Sequence, residues 1–157
     1  MTNTNSVLQK DELLKNWQSH RAITRRTIEK FEEKDLFEFS IGSMRTFSEI
    51  VSELLAIAAP SLESMATGVP IKYSQQAYKS KDEILKAWDE STVLIDRYYD
   101  QIPVERFQEV FNLYGEYNYK IVDNIFYFID NEIHHRGQGY VYLRALGIEP
   151  PFFWERA

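Results

Sequence analysis

Apolar residues recur at three- and four-residue intervals along almost the whole chain, which is the spacing of one helical face. Period-two alternation, the mark of a half-buried strand, is confined to Phe37-Glu38-Phe39-Ser40-Ile41. The pattern therefore predicts an all-α fold. Leu13, Trp17, Thr24, Ile28 and Phe31 share a face of a first helix over residues 10–33, followed by a loop over residues 35–44 that turns at Gly42. Thr46, with Glu49 three residues on, has the register of a capping box and opens a second helix, which Pro60 kinks or restarts and Gly68 ends. Ser80-Lys81-Asp82-Glu83 opens a third helix through Ile84, Trp88, Thr92, Ile95 and Tyr99, closed by Pro103. Val104, Phe107 and Val110 have helical spacing in a short run. The last helix is expected over residues 117–146, ended by Gly147 and Pro150-Pro151; its apolar run from Ile125 to Ile129 predicts the most buried element, with Phe126, Tyr127 and Phe128 as core.

Composition narrows the class. At 157 residues the chain has the length of one domain, and no repeat, linker or low-complexity tract divides it. A chain of that size buries roughly 68–70% of its unfolded surface without staples. With 44% hydrophobic and 27% charged residues it is globular, and ten Tyr, ten Phe and three Trp imply either a thickly packed interior or an aromatic-lined cleft. The net charge of -6 repels a phosphate backbone and argues against nucleic-acid binding; the pair Arg25-Arg26 is expected on a solvated face. Having no cysteine, the chain has no thiolate nucleophile, so metal chemistry would fall to His, carboxylate, amide or water. The amino-terminal residues lack a basic region before an apolar run, and the longest apolar stretch, residues 54–60, falls well short of a membrane span of about 20 residues. The expectation is a cytoplasmic protein with no membrane partner.

Polar residues interrupt the predicted inner faces. On the last helix Ile121, Ile125, Phe128, Glu132, His135, Gly139, Tyr142 and Leu146 form one stripe at alternating four- and three-residue steps. Glu132 with His135, and Asn131 with His135, have the two spacings at which side chains meet, whereas His134 points about 100° away. On the second helix Glu53 borders the arc of Phe47, Ile50, Val51, Leu54, Ile57 and Ala58, and His20 lies between Trp17 and Thr24 on the first. Three helices thus each bring an ionisable group to or near an inner face, as a site within a bundle requires. The same pattern is produced by hydrogen-bonded core histidines and a carboxylate at a solvated edge. The sequence argues against a ferritin-like di-iron centre, which would need a second Glu-x-x-His pair beside Glu132 and His135, because neither His20 nor His134 has a glutamate three residues before it, and there is no His-Glu-x-x-His motif, nucleophile elbow or phosphate loop.

The stretch from Asp130-Asn131-Glu132-Ile133-His134-His135 through Arg136-Gly137-Gln138-Gly139-Tyr140 to Ile148-Glu149-Pro150-Pro151 closely resembles the DinB-like family of the DinB/YfiT-like group. A weaker similarity runs through residues 17–39 and Ser43-Met44-Arg45-Thr46-Phe47-Ser48-Glu49. The resemblance implies an up-down-down-up four-helix bundle, often a homodimer, with a divalent metal on three histidines, one from the second helix and a four-residue-spaced pair from the last. Those ligand positions fall on Glu53, Asn131 and His135, so two of the three histidines are replaced. The implied ligand set is Glu53, His135 and Asn131, with His20 or Glu132 as substitutes, holding zinc or nickel at low occupancy. Two functions follow: a metal-dependent enzyme, such as a thiol transferase, or a non-catalytic dimeric bundle that binds a small molecule or acts in stress.

Overall fold

A computed structural model of the chain describes residues 6–156; the extreme amino terminus considered above for a leader segment, residues 1–5, and Ala157 lie outside the described residues. The elements in order are α1 (Lys10–Lys30), a short α2 (Glu33–Glu38), α3 (Phe47–Thr67), α4 (Lys81–Gln101), a 3-10 turn (Val104–Gln108), the strands β1 (Val110–Leu113) and β2 (Tyr117–Lys120), and α5 (Ile121–Ala145). The long helices α1, α3, α4 and α5 form a ring in which α4 and α5 each pack against both α1 and α3. Lys10 Nζ donates to the carbonyls of Asp100 and Ile102, and Lys81 Nζ to those of Glu29 and Phe31, so α1 and α4 run antiparallel. Two apolar layers fix the other directions. The first holds Leu13, Trp17, Met65, Tyr99, Ile121 and Phe128, the second Ile28, Phe31, Ile50, Ile84, Trp88 and Tyr142. Each helix enters the layers at the end that makes α3 parallel to α4 and α5 parallel to α1, which is an up-down-down-up bundle.

Parallel neighbours cannot share a tight turn, and a helix of 21 residues is about 30 Å long. The return is made by the extended segment of residues 68–80, enough chain at about 3.3 Å per residue to span the bundle.

Several boundaries differ from the sequence reading, each for a local reason. The first helix stops at Lys30, where Phe31 turns extended and drops into the core, and residues 33–38 restart as α2; the alternation at Phe37–Ile41 is therefore no strand. Thr46 and Glu49 form the capping box, and Gly68, with φ of 76°, closes α3. Pro60 does not restart that helix, which is continuous from Phe47 to Thr67, although the Ala56 carbonyl loses its intrahelical donor there. Strands form instead at residues 110–113 and 117–120, paired antiparallel with Val110 opposite Lys120, which trims the last helix at its start. The most buried helix is α3; α5 exposes both Phe126 and Tyr127, leaving Phe128 as the core residue of that trio. By length and composition α3 could cross a membrane, but 67% of its apolar window is buried inside the bundle.

Candidate functional site at the tyrosine-walled cleft

The capping box starts α3 so that Glu53 falls on its flank toward α5. There Glu53 Oε1 lies 3.3 Å from His135 Nε2, and both side chains are largely buried, with 19% and 12% of their surface exposed. The other ring nitrogen, Nδ1, is 2.8 Å from Gln138 Oε1, one turn farther along α5. Arg45, just before the cap, donates Nη1 to Glu53 Oε2, while its own carbonyl accepts the Tyr142 hydroxyl at 2.7 Å. One end of Arg45 is thus pinned to α5 and the other neutralises Glu53. Asn131 is half-buried one turn before His135 on α5.

The 3.3 Å spacing is what two ligands of a tetrahedral ion show when their bonds are about 2.0–2.1 Å long. It is equally the spacing of a hydrogen bond. The rest of the donor set does not match that of a three-donor site. Among the described residues no three His, Cys, Asp or Glu groups gather at one point. The remaining family position is a neutral amide at Asn131, and Arg45 places a full positive charge on the carboxylate that would face the ion. With Nε2 directed at Glu53 and Nδ1 at Gln138, His135 acts as a hydrogen-bonding ring. These residues do not fit a three-donor metal centre.

His20 and Glu132 are not beside this pair. Glu132 is 2% exposed and turned toward α1, where its Oε1 accepts the Thr24 hydroxyl at 2.6 Å and its Oε2 lies 3.8 Å from Arg21 Nη1. Arg21 donates to the Trp88 carbonyl at 3.1 Å and to Thr92 Oγ1 at 3.0 Å, with its guanidinium 4.0 Å from the Trp88 ring centre. Arg136 donates from Nη1 to the His20 carbonyl at 3.0 Å and to Thr24 Oγ1 at 3.2 Å, and its Nη2 lies 3.1 Å from His20 Nδ1. Arg156 approaches the other His20 nitrogen at 2.6 Å. Burial, then Arg136 and Arg156, pushes His20 down to about 4, so it is a neutral ring between two guanidiniums. Burial raises the Glu132 carboxyl despite the opposing charge of Arg21, and lowers Arg21 to about 10. Glu132 and His135, joined by spacing in the sequence, therefore serve different neighbours. His134 is exposed.

Glu53 also borders a cleft of about 1050 Å³ between α3, α5, the hairpin and the return segment. Tyr73, Tyr114, Tyr117, Tyr119 and Tyr127 line it. Tyr114 and Gly115 are the central residues of the turn closed by Glu116 N–H to the Leu113 carbonyl at 3.1 Å. Both have positive φ, 58° and 78°, the sign pattern of a type I′ turn, which favours Asn or Gly at the position Tyr114 fills. The ring is held there by a 2.8 Å hydrogen bond between its hydroxyl and Ser61 Oγ and by edge contacts with Tyr73 and Tyr117, at 6.0 and 6.4 Å between centroids. Burial raises the Tyr73 and Tyr127 hydroxyls above the usual phenol range, and the Glu53 carboxylate raises them further. The phenols stay neutral.

Sequence reasoning left out Arg45, Gln138, Arg21, Arg136 and the tyrosine wall. Only the wall had left a signal, namely the density of Tyr114, Tyr117, Tyr119 and Tyr127 in one short stretch and the aromatic-rich composition.

The sequence profile of the DinB family matches residues 1–156. Among solved structures, a DinB-like protein of Bacillus cereus superposes with a TM-score of 0.75 at 14% identity, over 90% of this chain and 95% of that one. A DinB-like protein of Bacillus subtilis superposes with a TM-score of 0.72 at 19% identity, over 90% and 97% of the two chains. No functionally curated protein matches in sequence.

Proposed function

Taking as premise that the chain belongs to the DinB family, we propose that it is a small-molecule-binding bundle protein whose family metal position has become a hydrogen-bonded pair at the edge of the cleft, and that it works without a resident metal. The observation that carries this reading is Arg45 on Glu53 Oε2. A guanidinium is a permanent cation, and one bound to the carboxylate that would face a divalent ion competes directly with that ion. Replacement of an imidazole by the Asn131 amide removes a strong donor as well. A thiol transferase that depends on a metal-activated nucleophile would need the donors that this pair has given up. The cleft, by contrast, has the volume and the aromatic lining of a ligand site.

Elemental analysis of protein purified without a histidine tag, followed by zinc titration, tests the reading. The expected result is well under one equivalent of metal and only weak zinc uptake. The variant Arg45→Ala combined with Asn131→His restores three donors and removes the competing charge, and should take up about one equivalent in the range of ordinary zinc sites. One equivalent retained by the unmodified protein and lost in His135→Ala would sink the proposal.

A further inference from the structure

Resting on that ligand-binding reading, we propose that the occupant of the cleft is an organic cation, a protonated or quaternary amine carried on an apolar body, held against the tyrosine faces. The lining carries the carboxylates Glu53, Glu116 and Asp123 against a single ammonium, Lys72. Even with Glu53 assigned to Arg45, Glu116 and Asp123 outnumber Lys72. An anion entering the cleft meets net like charge. A cation meets carboxylates and the negative faces of aromatic rings, and the attraction to those faces strengthens as the cation leaves water.

Two further observations argue that the tyrosines form a wall for a ligand. Tyr114 occupies a left-handed backbone position that a bulky aromatic disfavours and that glycine or asparagine fills more readily. Strain of this kind persists where surrounding contacts hold it, and it concentrates at binding sites. Here the strained residue presents its ring to the cleft, tied by Ser61. In addition, the rings of Tyr73 and Tyr117 stand nearly perpendicular to that of Tyr114, at interplanar angles of 82° and 83°. All three rings line the cleft, so a cationic head entering it meets aromatic surface in more than one orientation. Burial first, and then the Glu53 carboxylate, raises the Tyr73 and Tyr127 hydroxyls, so these rings meet a ligand as neutral phenols. Tyr127, 54% exposed on α5, also lines the cleft.

The experiment uses three probes with nearly the same branched head: choline, its uncharged carbon analogue neohexyl alcohol, and the anion tert-butylacetate. Each is titrated into the metal-free full-length protein while heteronuclear spectra follow the residues of the cleft. The expected order is choline tightest, by about tenfold over neohexyl alcohol, with tert-butylacetate weakest. Replacing Tyr127 by Leu, a substitution on an exposed helical face, should weaken choline severalfold and leave neohexyl alcohol nearly unchanged; Tyr114→Leu should do the same if circular dichroism shows it folded. Neohexyl alcohol or tert-butylacetate binding the cleft at least as well as choline would overturn the cation assignment and leave the ligand-binding reading standing; a choline preference untouched by both Tyr127→Leu and a folded Tyr114→Leu would overturn the tyrosine faces as its holder. If no probe shifts the cleft resonances, both fall.

Discussion

Glu132→Ala probes the buried charge network between α1 and α5. The carboxylate is 2% exposed and faces Arg21 and Arg136, themselves 1% and 4% exposed. Removing one member of a buried ion pair costs about 3–5 kcal/mol, most of it the penalty of leaving the partner charge buried and uncompensated. Two features place this variant at the lower end. Arg21 Nη1 is 3.8 Å from the carboxylate, an ion pair without a hydrogen bond, and Arg21 keeps its bonds to the Trp88 carbonyl and Thr92. Arg136 likewise keeps the His20 carbonyl. The Thr24 hydroxyl loses a charge-assisted partner at 2.6 Å but keeps the His20 carbonyl as an acceptor at 3.1 Å, so its loss adds little. A net loss of about 3 kcal/mol follows. At about 2 kcal/mol per molar of urea the unfolding midpoint falls by about 1.5 M, and the melting temperature by about 6–12 °C.

Urea denaturation followed by tryptophan fluorescence measures it, since Trp17 and Trp88 are both buried in this region. A double-mutant cycle with Arg21→Met should return a coupling of about 1–3 kcal/mol between the two positions. A loss below about 1 kcal/mol in Glu132→Ala, with no coupling to Arg21, would show that the carboxylate contributes nothing as an ion and refute the electrostatic reading of the seam.

Gly139 and Gly137 make a matched pair on α5. A Cβ at Gly139 would stand 2.5 Å from Phe47 Cε2, a ring that is fully buried and stacked on Phe31 at 4.9 Å, so the helix-propensity gain of about 1 kcal/mol in Gly139→Ala should be exceeded by overpacking of about 1–3 kcal/mol; Gly137→Ala, which meets nothing within 4 Å, should stabilise by about 0.5–1 kcal/mol. Urea midpoints moving the same way in both variants would contradict the packing argument. His20 is held at about 4 in the folded chain against 6.5 when unfolded, so below pH 6.5 the unfolded state takes up the proton first and stability falls as pH drops toward 4. For this half-exposed ring the loss, discounted for solvent screening, is about 1–2 kcal/mol. His20→Gln should flatten that part of the stability profile, and parallel profiles for the two proteins between pH 7 and 4.5 would exclude His20 as its source.

The bundle was legible because its signals are local and repeated. Thr46 and Glu49 cap a helix by their own side chains, Gly68 ends it by adopting a positive φ, and Leu13 to Phe31 bury at helical spacing. The hairpin was not, because β1 alternates over only four residues, with Phe111 part-buried and Leu113 buried while Asn112 and the apolar Val110 are exposed, and β2, Tyr117-Asn118-Tyr119-Lys120, exposes every residue. The pairing of Glu53 with His135 was visible as two positions on inner arcs that also match the family's ligands. Arg45 was not, since it lies outside the helix and reaches Glu53 across the cap, eight residues away. Arg21 and Arg136 escaped notice for a different reason. Arginine is rarely buried, and burial becomes affordable here only through partners contributed by other helices, the Trp88 carbonyl for one and the His20 carbonyl for the other.

The separation of Glu132 from His135 shows why a single stripe on a helical wheel misleads in a ring of four. Because α5 packs against both α1 and α3, it has two buried flanks. Residues three apart differ by about 60° around the axis, enough to place them on different flanks. On the α1 side Glu132 and Arg136 meet Thr24 and His20; on the α3 side His135 and Tyr142 meet Glu53 and Arg45. The two seams differ in kind. Toward α1 the carboxylate is fully buried among guanidiniums, where exchange with solvent would require the helices to part. Toward α3 the pair borders an open cleft and retains 12% to 19% exposure, so a ligand can reach it without disturbing the core. Chemistry that depends on access therefore belongs to the α3 flank, and the charge network on the α1 flank ties α5 to α1.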